Sequence, residues 1–133
     1  MRYLLDTNIV SDIIRNPAGR VTKRIREVGE AQVCTSIVVA AELWYGAIKR
    51  NSLRLTAQLE AVLGALEVVS FEAPAEQVYG ELRARLERTG QPIGGNDLLI
   101  AAHAVELGCA LVTDNEREFA RINGLSRENW LRG

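Results

Sequence analysis

Apolar residues recur along this chain in two alternating patterns, short runs of strand character and longer stretches of helical period. Residues 2–6 read as a short buried strand, and residues 7–15 as a helix closed by Asn16-Pro17. Residues 20–28 repeat apolar positions at helical spacing and stop at Gly29; residues 32–35 are strand-like, and Ser36 caps a long helix reaching residue 50. A helix over 53–66, a strand over 67–71 and a helix over 74–88 follow, the last ending before Gly90. The pattern then gives a helix over 97–107, a strand over 110–113, a short helix over 116–122 and an edge strand over 126–129. Strands alternating with helices predict an α/β fold with a central parallel sheet covered on both faces. A chain of 133 residues fits one domain, residues 1–133.

Acids stand where this pattern makes them costly. Leu4-Leu5-Asp6-Thr7-Asn8, Ala40-Ala41-Glu42-Leu43, Gly95-Asn96-Asp97-Leu98 and Leu111-Val112-Thr113-Asp114-Asn115 each set a carboxylate on the border of an apolar run. A charge there is expensive unless a cation neutralises it. Ligands of open parallel sheets gather beyond the carboxyl ends of the strands. Asp6 and Asp114 end predicted strands, and Asp97 opens the helix that feeds the strand ending at Asp114, so all three fall on one sheet edge. Capping could explain any one of them. The chain has only four Asp against thirteen Glu, however, and a shared cation site accounts for three gathering at one edge. Asp12, the fourth, reads as solvated surface. Glu42 has Val38, Val39, Tyr45 and Gly46 as its helical neighbours, so it must find a cation elsewhere, be protonated, or bridge to a distant arginine. Asp97 heads a face of Ala101, Ala104 and Gly108, small residues that bring the helix close to the sheet. His103 lies on another face, as a surface or core-edge residue. Gly46 reads as a close-packing position, and Trp44, Tyr45 and Trp130 as core or interface.

Charge narrows the partners. A net charge of −1 argues against a protein that coats nucleic acid nonspecifically, although fourteen of the sixteen basic residues are arginine, whose fork binds phosphate. Arg20, Lys23, Arg24 and Arg26, or Arg83, Arg85 and Arg88, could hold an RNA backbone; many also have acids at i,i+4, the pattern of a solvated helix face. Cys34 and Cys109 read as buried free thiols, too few with one histidine for a structural zinc site. No apolar stretch is long enough to span a bilayer, and no basic stretch precedes an apolar segment at the start, so a soluble cytoplasmic protein is expected.

The four acidic segments, together with Gly46, Pro92-Ile93-Gly94, Arg117-Glu118-Phe119, Gly124-Leu125 and Glu128-Asn129-Trp130, resemble the PIN-domain ribonucleases end to end. Within them the likeness is to the VapC-type toxins of type II toxin-antitoxin pairs. The resemblance implies a PIN-like three-layer α/β/α fold and a growth-arresting endoribonuclease that uses Mg²⁺ or Mn²⁺. It would cut tRNA or rRNA to leave a 3′-hydroxyl and a 5′-phosphate. It implies Asp6, Glu42 and Asp97 as the principal acids, with Asp6 and Asp97 on the metal, Asp114 as a supporting fourth, and Asn8, Thr113 and Asn115 orienting water or acids. The resemblance implies Asn at the position of Asp114 in many relatives, which leaves the role of Asp114 open. The resemblance also implies a homodimer held inactive by a cognate antitoxin, which alone would bring the complex to operator DNA.

Other chemistries fit less well. One histidine makes a ribonuclease using the RNA 2′-hydroxyl improbable, since that route usually needs acid and base of histidine type. Neither G-x-G-x-x-G nor a P-loop lysine motif occurs. An aspartyl phosphatase would need a second Asp where Asn8 stands. A housekeeping PIN-domain RNA-processing nuclease and a noncatalytic RNA-binding scaffold remain as alternatives.

Overall fold

The computed structural model describes residues 2–132. Its centre is β1 (Tyr3–Leu5), hydrogen-bonded on both sides in parallel register: Leu4 pairs with Cys34 of β2 (Val33–Ser36) and with Leu111 of β4 (Ala110–Val112). β3 (Glu67–Val69) and the two-residue β5 (Arg127–Glu128) complete a five-stranded parallel sheet of order β3-β2-β1-β4-β5. Leu4, Leu5 and Leu111 are fully buried, as expected of strands enclosed on both faces. β1, β3, β4 and β5 are a residue or two shorter than expected, and β2 keeps its expected length one residue further along.

Helices flank the sheet: α1 (Thr7–Arg15), α2 (Arg20–Val28), α3 (Ile37–Arg50), α4 (Leu53–Ala65), α5 (Ala75–Arg88), α6 (Gly95–Leu107) and α7 (Glu116–Phe119). Local chemistry sets their ends. Asp6 caps α1 by accepting the Thr7 N–H, Ser36 caps α3 through Val38 N–H, and Ser52 caps α4 through Leu55 N–H. α6 begins at Gly95, two residues before the expected start, so Asp97 lies in its first turn, where the helix dipole favours an acid. It stops at Gly108, whose φ of 69° is the left-handed conformation that glycine adopts without strain. α7 has four residues, too few to persist by propensity. Phe119, fully buried, holds it in place with roughly 1.5–3 kcal/mol of burial.

Three sequence expectations change. Asp12 is buried, not solvated: Asn16 at the end of α1 turns back so that its Nδ2 donates to Asp12 Oδ1 at 2.8 Å. His103 lies in the core, its Nδ1 2.8 Å from Ser36 Oγ and its ring edge-on to Phe71; burial lowers its pKa and keeps it neutral. Gly46 does not mediate a close approach, because a Cβ there would meet nothing within 4 Å. Of the aromatic residues expected in the core or an interface, Trp130 is core, buried against Tyr3 with ring centroids 5.1 Å apart, and Tyr45 is exposed and so outside the core. Cys34 and Cys109 are buried and free, as expected. No described helix is long and apolar enough to cross a membrane.

Candidate active site

The sheet's carboxyl edge gathers the acids. Asp6 follows β1 directly, and its backbone N–H donates to Val112 O at 2.9 Å, continuing the ladder to β4. Both of its carboxylate oxygens are engaged: Oδ1 accepts the Thr7 N–H at 2.8 Å, and Oδ2 accepts the Thr113 hydroxyl at 2.7 Å. Thr113 is itself fixed, since its Oγ1 accepts the Asn115 N–H at 2.9 Å. Asn8 Nδ2 lies 3.5 Å from Asp6 Oδ2, and Asn8 Oδ1 accepts the Asp114 N–H at 3.0 Å.

Glu42 reaches the same place from the second turn of α3. Its Oε1 accepts the Thr7 hydroxyl at 2.6 Å, and its Oε2 accepts Asn96 Nδ2 at 3.2 Å. The half-buried Glu42 thus ties α1 and α6 together, with no basic partner among the described residues. Asp97, also half-buried, sits opposite, its Oδ2 3.5 Å from Asn115 Nδ2. Asn115 Nδ2 also donates to Glu118 Oε2 at 2.9 Å, while Glu118 Oε1 accepts the Gly94 N–H at 3.1 Å.

The pKa shifts measure how these acids feel one another. Burial first, then the charges of Asp6, Glu118 and Glu42, push Asp97 up to about 7. Burial also raises Asp6, opposed by the hydrogen bonds from Thr113 and Thr7, with Glu42 raising it further. The dipole at the start of α6 is therefore outweighed by desolvation and like charge.

Asp114 stands apart from this group. Its exposed carboxylate is bound by Asn129 Nδ2 at 3.0 Å and by Arg132 Nε at 3.3 Å, and those bonds lower its pKa. It had been expected beside the other acids because it ends a strand. The chain turns there, so Thr113 points inward and Asp114 outward. Glu118 takes the place beside Asp97, and Thr7 and Asn96 join as donors; the sequence reading assigned none of these three to the site. A signal for Glu118 existed: Asn115 and Glu118 stand at the ends of an N-x-x-E spacing at a helix start, the spacing of a capping box, although their side chains bond each other and not the backbone N–H groups of that helix start.

The donor set is all oxygen, suited to a hard cation such as Mg²⁺ or Mn²⁺. Among the described residues no three acidic side chains close around a single point. Magnesium requires no such cage, because it keeps several waters and takes one or two carboxylates.

The acid cluster makes metal-free stability depend on pH in a definite direction. Because Asp97 titrates near 7 in the folded chain and near 3.9 unfolded, its favourable contribution is full below about pH 4 and is lost as pH rises through about 7. Thermal melts in chelator should therefore show wild type losing stability relative to Asp97→Asn over this range. A constant difference between the two across the range would show that Asp97 is not held in this repulsive setting.

Comparison with known proteins places this geometry. The PIN domain family model matches residues 3–125. The chain is 41% identical over 132 residues to "Ribonuclease VapC2" of Rickettsia felis, and 37% identical over 131 residues to the "tRNA(fMet)-specific endonuclease VapC" of Shigella flexneri, covering 98% of each pair. It belongs to the VapC ribonucleases of the PIN-domain family. Solved structures agree with this VapC assignment. The Rickettsia felis VapBC2 complex with a promoter DNA fragment matches with a TM-score of 0.89 at 39% identity, covering 98% of this chain and 99% of that one. The DNA-bound VapBC of Salmonella typhimurium matches with a TM-score of 0.90 at 37% identity and 98% coverage of both chains. The α/β sheet is thus the PIN-like one, and the chain is a ribonuclease toxin of the VapBC toxin-antitoxin type.

Proposed function

We propose that this VapC is a Mg²⁺- or Mn²⁺-dependent endoribonuclease acting on tRNA in the cytoplasm. The observation that carries the reading is the set of acids Asp6, Glu42, Asp97 and Glu118 facing one another with no basic partner among the described residues. Asp6 and Asp97 would hold the cation, with Glu118 in the role that Asp114 was expected to fill. A bound divalent ion supplies charge neutralisation at the phosphate and lowers the pKa of water. Thr113 fixes Asp6 so that its carboxylate does not have to reorganise, and Asn8 and Asn115 brace the turn that carries it. Glu42, held by Thr7 and Asn96, would orient the attacking water and receive its proton.

A tRNA substrate is supported by the Shigella flexneri relative, whose printed name gives tRNA(fMet) as its target. A cognate antitoxin, and operator DNA reached through it, are supported by the DNA-bound VapBC complexes of Rickettsia felis and Salmonella typhimurium that this chain matches, and a homodimeric assembly is proposed on the family resemblance alone. The antitoxin would quiet the site by placing a basic or aromatic segment against the acids.

Incubation of the purified protein with a tRNA panel, followed by mapping of the cut ends, tests the reading. Endonucleolytic cuts bearing a 3′-hydroxyl and a 5′-phosphate are expected. Cyclic phosphate ends would show that the RNA's own 2′-hydroxyl is the nucleophile and contradict it.

A further inference from the structure

The acid cluster creates a difficulty for any polyanionic substrate: the groups that would bind the cation repel the rest of the RNA. Attraction has to come from elsewhere on the chain, and its overall charge of −1 does not provide it. One surface does. A groove of about 930 Å³ runs between α2 and the C-terminal segment, lined by the cations Arg20, Lys23, Arg24, Arg127 and Arg132. Its acids are Glu27, Glu116 and Glu128. Five cations against three carboxylates leave the groove two positive charges ahead, so everything outside it carries three excess negative charges.

Hydrogen bonds and ion pairs fix the side chains of the groove. Trp130 Nε1 donates to Glu128 at 2.9 Å and Asn129 Nδ2 to Glu116 at 3.1 Å, which orients both acids without neutralising them, while Arg24 pairs with Glu27 at 3.4 Å and Arg132 with Asp114 at 3.3 Å. Arg24 lies over the Trp130 ring, 5.8 Å from its centroid, and Arg20 is braced by donating to Leu131 O at 3.1 Å. Lys23 and Arg127 are exposed and enter no ion pair among the described residues. On α2 the buried Val21 fixes the rotation that presents Arg20, Lys23 and Arg24, neighbours at i, i+3 and i+4, on one face.

The groove is continuous with the rim of the acid cluster. Asn129 also donates to Asp114 Oδ1 at 3.0 Å, the Asp114 N–H donates to Asn8, and Asn8 lies against Asp6. Asp114 and Arg132, set aside by the cluster itself, thus form the link between the two surfaces.

We propose that this groove holds the phosphate backbone of the RNA flanking the cut, anchoring a structured substrate while the acid cluster receives the scissile phosphate. The inference rests on the nuclease reading above and adds the surface that gives a long RNA its affinity. Guanidinium and ammonium groups arrayed beside an aromatic ring suit a phosphate backbone without reading its sequence. An oligonucleotide of only the few nucleotides at the cut would leave most of the groove unfilled, and that separates the two surfaces experimentally.

The test compares wild type with Lys23→Glu/Arg127→Glu and with the milder Lys23→Gln/Arg127→Gln, on a tRNA(fMet) transcript and on a short oligonucleotide spanning the mapped cut. Loss of two phosphate contacts should raise KM for the tRNA about tenfold with kcat unchanged, and lower the slope of log KM against log salt by about 1 to 2. The oligonucleotide should be cleaved equally by all three proteins. Wild-type KM and salt slope on tRNA in both variants would overturn the inference alone. Loss of antitoxin affinity with RNA kinetics intact would overturn it too, by making the groove a protein-binding surface. A wild type that cleaves neither RNA would sink the nuclease reading first, and this inference with it.

Discussion

Asp97→Asn should fold normally and lose at least about 100-fold in kcat/KM, a loss on the scale of removing a preorganised charge-stabilising group. The substitution keeps side-chain size and the ability to accept from Asn115 at the start of α6, so the packing around Ala101 and Ala104 is undisturbed. It removes the one acid whose titration is pushed up to about 7, where burial and the charges of Asp6, Glu118 and Glu42 converge. Relief of that repulsion offsets any lost dipole interaction, so a metal-free Asp97→Asn should be no less stable than wild type near neutral pH. Asp114→Asn is the informative contrast. Its carboxylate faces Asn129 and Arg132, donors that an amide oxygen can still satisfy, so tRNA cleavage should stay close to wild type. Kinetics on tRNA with circular dichroism of the purified variants checks both. A folded Asp97→Asn that cleaves at the wild-type rate would remove Asp97 from the chemistry.

The central strands and the acids at their ends were legible because they lie where pattern and cost coincide. A fully buried run such as Tyr3-Leu4-Leu5 must end where the chain leaves the sheet, and an acid at that end stands on the carboxyl edge whatever the surrounding loops do. Asp6 is therefore readable from one dimension. Glu42 was readable as an anomaly, an acid among apolar helical neighbours, but its route to the site through Thr7 and Asn96 depends on how α3 crosses α1 and α6, which no local pattern encodes. Asp114 misled for the same reason that Asp6 succeeded: it follows a strand by two residues, and one residue of turn reverses the direction a side chain faces. Thr113, one residue earlier, is buried on Asp6. Glu118 had only a capping-box spacing to announce it, and the deciding fact is tertiary, the burial of Phe119 that rotates α7 toward Gly94. Asp12 and His103 were misplaced because the fold brings each a partner, Asn16 to Asp12 by a local turn and Ser36 to His103 Nδ1 from the start of α3.

Chelation should abolish cleavage altogether, a larger effect than any single substitution. Without a cation, Asp6, Glu42, Asp97 and Glu118 have only hydroxyl, amide and backbone N–H donors to balance them, and the raised Asp97 and Asp6 titrations record the shortfall. No histidine can substitute as acid or base, since His103 is buried in the core beside Ser36 and kept neutral. The groove between α2 and the C-terminal segment would still bind RNA in chelator, so binding and cutting should separate. The most direct measurement is tRNA cleavage by the purified protein in excess EDTA, then after Mg²⁺ or Mn²⁺ is restored, with Ca²⁺ as a second divalent ion. Loss of all cutting in EDTA and recovery with Mg²⁺ or Mn²⁺ is the predicted result; undiminished cleavage in EDTA would contradict it.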